Sequence, residues 1–230
     1  MECNICGNDQ FVDMNGRVGV KCSKCGSLER TRLLWMFIEK LNIKPNSKIL
    51  HLAPERGIYN RLAPLVKPEN YVGADIEPER YGFAKCRKID LTQLEGWASD
   101  EFDLIIHVHV LEHIPCNVAY PMFHLHRMLK PTGKHLCVIP VLSGVYDECF
   151  DEIGDAERTR RFGQHDHVRR FGRDGLARTL GKIVRLPDHF DATESFNEAA
   201  LNKHNIPKNQ WKGFHTGTVL SFGKNDYRLL

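Results

Sequence analysis

The sequence predicts an α/β chain: a doubly wound, seven-stranded, mainly parallel sheet preceded by a small cysteine-rich module. Three observations predict it. From residue 48 onward, short apolar runs alternate with helical stretches, the pattern of strands joined by right-handed crossovers. Phe102 to Val108 is an almost continuous apolar run, as a parallel strand buried on both faces requires. The first 26 residues carry two Cys-x2-Cys pairs in a stretch rich in Gly, Asn and Asp and poor in core-forming runs.

The elements follow in order. Residues 1–26 read as a knob nucleated by its cysteines, and residues 27–46 as a connecting helix. Ser27 is placed as its N-cap, and Leu34, Phe37, Ile38 and Leu41 recur on one helical face. Pro45-Asn46-Ser47 ends the helix. The main domain then spans 47–230, with strands at Ile49–Leu52, Tyr71–Ala74, Arg87–Ile89 and Phe102–Val108. A helix over 119–129 turns Met122, Leu125 and Leu129 inward, and Pro131-Thr132-Gly133 reverses the chain into a fifth strand, His135–Val141. Residues 173–180 read as a helix with Gly181 as its C-cap, and strands near 182–186 and 216–222 complete the sheet. The segment 143–172 is long, polar and without periodicity. An insertion of this length is more often a functional lid than filler.

Composition narrows the function classes. The chain has 230 residues, 42% apolar and 27% charged, with a formal net charge of +3, ordinary for a globular protein. No apolar run approaches the roughly 20 residues that cross a bilayer, so no membrane partner is expected. The N-terminus shows no basic and apolar leader, so a cytoplasmic location is expected. In such a chain eight cysteines point to metal rather than disulfides. Near-neutral charge gives no global case for nucleic acid, which stays possible but is not favoured. Local basic stretches exist: residues 158–173 hold six arginines against one aspartate, and 17–32 hold Arg17, Lys21, Lys24, Arg30 and Arg32 against Glu29. Such runs are usually solvated faces. Nothing in the sequence sets the oligomeric state.

Cys3-x2-Cys6 and Cys22-x2-Cys25 are separated by 15 residues. Two such knuckles can close a tetrahedral thiolate site, and Gly7 and Gly26 follow each one where a tight turn is needed. Structural Zn2+ is expected in a zinc ribbon, with rubredoxin-like iron as the alternative. Four protein ligands leave no open position.

A doubly wound sheet binds its ligand outside the carboxyl ends of its strands. The first turn here is His51-Leu52-Ala53-Pro54-Glu55-Arg56-Gly57, with no Gly-x-Gly-x-x-Gly. Pro54 also removes one N–H donor. Both features disfavour a pyrophosphate on the helix N-terminus and so disfavour NAD and FAD.

Six segments together carry a resemblance: Ile-Leu-His-Leu-Ala-Pro-Glu (49–55), Tyr-Val-Gly-Ala-Asp (71–75), Phe-Asp-Leu-Ile-Ile (102–106), His-Val-Leu-Glu-His-Ile-Pro (109–115), Arg-Met-Leu-Lys-Pro (127–131) and Gly-Gln-His-Asp-His-Val-Arg (163–169). In order and spacing the chain resembles class I S-adenosylmethionine (SAM)-dependent methyltransferases of the type 11-like bacterial branch, Rossmann-like in fold. That branch often carries an N-terminal zinc ribbon followed by Gly-Ser-Leu-Glu-Arg, matched at 26–30. The resemblance implies SAM as cofactor. It implies Asp75 on the ribose hydroxyls, 18 residues after Gly57, and Asp90 with Leu91 near the adenine. His107 and His109, ending the fourth strand, are implied beside the methionine and sulfonium. The broad class opens with an acid and three alternating glycines. Here His51, Ala53 and Glu55 stand at the acid and the first two glycines, and only Gly57 remains. All four are placed in the cofactor site.

The methyl acceptor must be aligned with the sulfonium and, where it carries a proton, deprotonated. The candidates are His113 after the fourth strand, and His165, Asp166, His167 and Arg169 in the lid. The expected reaction is methyl transfer to a small-molecule or glycan acceptor, at oxygen. One alternative is an RNA or protein methyltransferase that docks through the ribbon. Another is a non-catalytic binding module that keeps the fold.

Overall fold

The structure is a computed structural model that describes residues 1–228. The last two residues of the domain expected over 47–230 lie outside the described residues. Strands β1 (Phe11–Met14) and β2 (Arg17–Cys22) form an antiparallel hairpin between the cysteine knuckles. Helix α1 runs over Glu29–Glu39. It is buried on nearly every side, from Thr31 and Arg32 through Leu34, Trp35 and Ile38, because it lies between the knob and the sheet rather than on a surface. Ser27 is not its N-cap: Leu28 holds that position. The Ser27 hydroxyl instead lies 3.1 Å from Cys3 Sγ and 3.2 Å from Cys25 Sγ, so the cysteine cluster claims it.

Arg32 ties the knob to the rest of the chain. Its guanidinium, fully buried, donates to the carbonyls of Ser27 (2.7 Å), Val20 (3.1 Å), His204 (2.9 Å) and Asn205 (2.8 Å). A buried cation needs such partners to offset its lost hydration.

The main sheet begins with β3 (Ile49–Leu52), followed by α2 (Arg56–Leu62), β4 (Tyr71–Asp75), β5 (Cys86–Lys88), β6 (Phe102–Val108), α3 (Ala119–Met128) and β7 (Leu129–Val138). Beyond β7 come β8 (Val141–Leu142), β9 (Asp147–Glu148), α4 (Asp155–Phe162), β10 (Arg169–Gly172), α5 (Leu180–Ile183), α6 (Glu198–Lys203) and β11 (Val219–Gly223). The order across the main sheet is β11-β7-β6-β3-β4-β5, with only β11 antiparallel. Alternate residues feed two cores. Leu104, Ile106, Leu136 and Val138 pack on one face, and Ile105, Cys137 and Ile139 on the other. From β3 the chain winds outward through β4 and β5, then returns to the other side through β6 and β7. The winding therefore reverses between β3 and β6, where such sheets bind ligands.

Several sequence expectations change. Among the described residues the sheet has six strands, not seven. The stretch expected as a strand near 182–186 forms the short α5, then makes one antiparallel bridge, Val184 to Tyr227. β11 already pairs with the β7 edge along five residues. Residues 173–180 form a tight 3-10 turn over Arg173–Arg178 rather than an α-helix. Gly181 lies inside α5 and does not cap it; a Cβ there would come within 3.3 Å of the Leu176 carbonyl. Pro131-Thr132-Gly133 does not end a helix before a new strand. It forms an irregularity within β7, between the pairs Phe102–Leu129 and Leu104–Lys134. At Gly133 a Cβ would meet the Phe102 carbonyl at 2.8 Å.

The segment 143–172 is more ordered than its sequence suggests. It contains β9, α4 and β10, and a small sheet of order β8-β10-β9. Helix α4 escapes detection because arginine does part of its packing. Arg158 is buried, donating to the carbonyls of Asp151 (2.7 Å), His167 (3.3 Å) and Cys149 (3.4 Å). Arg161 makes a bidentate pair with Asp147 at 2.6 and 2.9 Å. Arg169 donates to Glu148 at 3.0 Å and to the carbonyls of Leu111 and Cys116. Three of the six arginines read as a surface for anions are thus committed within the segment and its anchor.

Candidate active site

A cavity of about 380 Å³ opens at the carboxyl ends of β3, β4 and β6, within the usual range of about 300–1,000 Å³ for ligand pockets. Its walls include Ala53, Asp75, Asp90, Leu91, His109, His113 and Asp166, seven residues singled out from sequence. Their convergence comes from strand ends far apart in the chain.

Ala53 follows directly on β3, and its φ is +47°. This left-handed conformation favours glycine, so the turn keeps the backbone path of a glycine turn without the glycine. Its N–H donates to the Ala74 carbonyl at 2.9 Å, which binds the turn to β4. Asp75 ends β4. One oxygen accepts the Glu77 N–H and the other the Tyr81 hydroxyl, each at 2.9 Å. Each oxygen keeps a second acceptor site, and the carboxylate is held on the cavity wall. Asp90 accepts both the Thr92 N–H (2.8 Å) and the Thr92 hydroxyl (2.7 Å) through Oδ1.

The opposite wall comes from the turn after β6. His109 has φ +52° and its Nε2 lies 2.8 Å from the Thr216 carbonyl. Burial, with the nearby Arg30 charge, lowers its pKa to about 4, so it is neutral near pH 7. A 3-10 turn, Leu111–His113, follows. His113 Nδ1 lies 3.3 Å from Asp166 Oδ2, and its ring meets that of His167 edge-on at 4.6 Å between centroids. Glu112, one residue before His113, is fully buried, and burial raises its carboxyl pKa to about 8.

Segment 163–170 thus reaches the same cavity as Asp75, through Asp166. It is fastened there: the Val168 N–H donates to the Glu112 carbonyl at 2.9 Å, alongside the Arg169 bonds to Leu111 and Cys116. His167 is buried, with Nδ1 3.1 Å from the Phe162 carbonyl. His165 is exposed, and neither it, His167 nor Arg169 lines the cavity.

Four residues expected at the cofactor lie outside the cavity wall. His51 is buried, with Nδ1 2.7 Å from the Tyr71 hydroxyl and Nε2 3.0 Å from Glu55. Glu55 is therefore taken by His51. Gly57 faces the knob; a Cβ there would lie 2.9 Å from Ile5. His107 is fully buried beside His135, with ring centroids 5.0 Å apart, and burial holds its pKa well below the usual range. Sequence reasoning missed Tyr81, Thr92, Ile76 and Ile114, all on the wall. Ile76 carried a usable signal, an apolar residue directly after a strand-end acid. Tyr81 carried none, since the loop that returns it to Asp75 is irregular.

The four cysteines of the knob also converge. Their Sγ atoms all lie within 4.8 Å of one another, with Cys3–Cys25 and Cys6–Cys22 at 3.6 Å. Gly7 and Gly26 have φ of +74° and +72° and donate to the Cys3 and Cys22 carbonyls at 2.7 and 2.9 Å, so each knuckle closes on its glycine.

The family model described as "Methyltransferase domain" matches residues 51–137, from within β3 to β7. No curated protein matches the sequence. Among solved structures, the YcgJ protein of Bacillus subtilis is 14% identical, with 77% of this chain and 79% of that chain covered and a TM-score of 0.44. A Bacillus halodurans protein is 17% identical, covering 82% and 92% with a TM-score of 0.45. An S-adenosylmethionine-dependent methyltransferase of Mesorhizobium loti is 19% identical, covering 53% and 55% with a TM-score of 0.38. At these scores the likenesses are distant. With the matched domain forming most of the cavity, the chain is a SAM-dependent methyltransferase.

Proposed function

We propose that the enzyme transfers the methyl group of SAM to a hydroxyl oxygen of a small or sugar-like acceptor in the cavity between β4 and the Leu111–His113 turn. The observation that carries this reading is the placement of two acidic groups and a His–Asp pair on opposite walls of one cavity. Asp75, with an acceptor site free on each oxygen, suits a ribose diol. Ile76, half exposed beside it, and Leu91 offer apolar contact to an adenine, with Asp90 near its amino group. Neutral His109 suits the neighbourhood of a sulfonium, which a cationic imidazole would repel.

SAM supplies an electrophilic methyl; the protein supplies position and a proton acceptor. The acceptor oxygen attacks the methyl carbon, the sulfur–methyl bond breaks, and S-adenosylhomocysteine leaves. His113, oriented by Asp166, takes the hydroxyl proton. The buried residues His167, Val168 and Arg169 anchor the segment that carries Asp166 against the turn, so the pair is preorganised rather than carried by a free lid. Calorimetry with SAM and S-adenosylhomocysteine tests the cofactor assignment. Release of S-adenosylhomocysteine across a panel of hydroxylated metabolites tests the acceptor class. Absence of SAM binding, or turnover confined to RNA or protein, refutes the proposal.

The knob is inferred to hold one structural zinc on Cys3, Cys6, Cys22 and Cys25. A tetrahedral site with Zn–S bonds of about 2.3 Å has sulfurs about 3.8 Å apart, close to the 3.6 Å pairs here. With all four positions filled by protein, the ion would stabilise the knob and take no part in methyl transfer.

A further inference from the structure

We propose a second metal site: Glu112, His113 and His167 bind one divalent transition ion at the acceptor end of the cavity. One ligand atom from each residue lies within 4.8 Å of the others. Two of the three residues show an unmet demand for a partner. Both carboxylate oxygens of Glu112 are buried without a hydrogen bond, and so is Nε2 of His167. Among the described residues, the ionisable group paired with Glu112 is His109, at 3.6 Å, too long for a hydrogen bond. Leaving a carboxyl group and an imidazole nitrogen orphaned at adjacent positions is unfavourable unless something sits between them.

The surroundings match a metal's outer shell. Metal-binding imidazoles usually give their second nitrogen to a carbonyl or carboxylate. His167 Nδ1 lies against the Phe162 carbonyl at 3.1 Å, which leaves the Nε2 lone pair as the donor. Asp166 stands at 3.3 Å from His113. The backbone bond from Val168 to the Glu112 carbonyl and the Arg169 bonds to Leu111 and Cys116 lock both halves of the site together. Two imidazoles and one carboxylate suit Mn2+, Fe2+, Co2+ or Zn2+, and three protein ligands leave open positions. His113 lines the cavity and is about one-third exposed, which gives an ion and an acceptor oxygen a route in.

This deepens the proposed function and rests on it for its catalytic meaning. An ion held here would replace the His113 base of that reading: His113 would serve as a ligand, the ion would acidify an acceptor hydroxyl, and Asp166 on the same wall would take its proton. Metal binding itself is measured without SAM or acceptor, so its failure is distinguishable from failure of the transfer reading.

The probe is Mn2+, which thiolate sites bind poorly, titrated into the purified full chain. Loss of the free-ion electron paramagnetic resonance signal reads binding, and Co2+ absorption is a parallel probe that separates nitrogen and oxygen ligands from thiolates. The expected result is about one Mn2+ per chain, with affinity reduced at least tenfold in Glu112→Gln and in His167→Gln and unchanged in Lys182→Ala, a surface control. Glu112→Gln keeps the side-chain shape, and thermal melts establish that each variant is folded. The proposal is overturned if neither ion binds outside the cysteine cluster. It is equally overturned if folded Glu112→Gln binds as wild type does.

Discussion

Replacing Asp75 by asparagine isolates the charge that the cavity offers to the cofactor. In the structure each Asp75 oxygen accepts one internal hydrogen bond, from the Glu77 N–H and the Tyr81 hydroxyl, and keeps one acceptor site for a ligand. The amide oxygen of asparagine can still accept from Glu77. Its NH2 would face Tyr81, whose hydroxyl can rotate to become the acceptor, so the wall should survive. The ribose hydroxyls then lose two bonds to a charged group. Such bonds are worth about 1.5–3 kcal/mol each, against about 0.5–1.5 for neutral pairs. The difference over two bonds is about 2–3 kcal/mol, or roughly 30- to 150-fold in Kd. Calorimetry with S-adenosylhomocysteine, which needs no acceptor, measures this directly. A folded Asp75→Asn protein with Kd within about threefold of wild type would refute the ribose role.

Four other outcomes are expected. Wild type should carry about one zinc at the cysteine cluster, and Cys22→Ser should lose it and raise amide exchange across residues 1–26; a folded, metal-free wild type would end the ribbon reading. Arg32→Met should lower stability by about 3–5 kcal/mol, because four carbonyls lose their donor, whereas a loss below about 1 kcal/mol in a denaturant titration contradicts the tether. His113→Gln and Asp166→Asn should leave SAM affinity nearly intact and lower kcat by about a hundredfold; a change in KM alone would show a role in binding only. His135 is fully buried, and burial lowers its pKa to about 3. The unfolded chain therefore takes up its proton first, so stability is complete above about pH 6.5 and falls as the pH drops toward 3. Urea titrations should show about 2 kcal/mol less stability at pH 5 than at pH 6.5 from this group, with His107 acting in the same direction; equal stability at both values would contradict its burial as a neutral ring.

Periodicity and composition alone determined the parallel core of this protein. The runs 49–52, 71–74 and 102–108 form strands because their apolar residues suit burial between two helical layers. The paired Cys-x2-Cys knuckles converge because a fixed short spacing acts locally. The role of Asp75 was legible only through the family resemblance; its position at the end of a buried strand set no more than its place at the carboxyl edge. The tertiary structure alone decided what is long-range. It turned His51 and Glu55 toward each other and Gly57 toward the knob, although all three lie in the turn that begins the domain. It made Arg158, Arg161 and Arg169 internal fasteners, because a guanidinium can satisfy several carbonyls at once and no sequence pattern marks that use. It also brought His167 against Glu112 and His113, more than fifty residues away. That approach depends on β10 pairing with β8 and β9 and on the Val168–Glu112 backbone bond. Sequence spacing encodes neighbours within one turn or strand, whereas a site assembled from separate strand ends exists only once the sheet and its crossovers have closed.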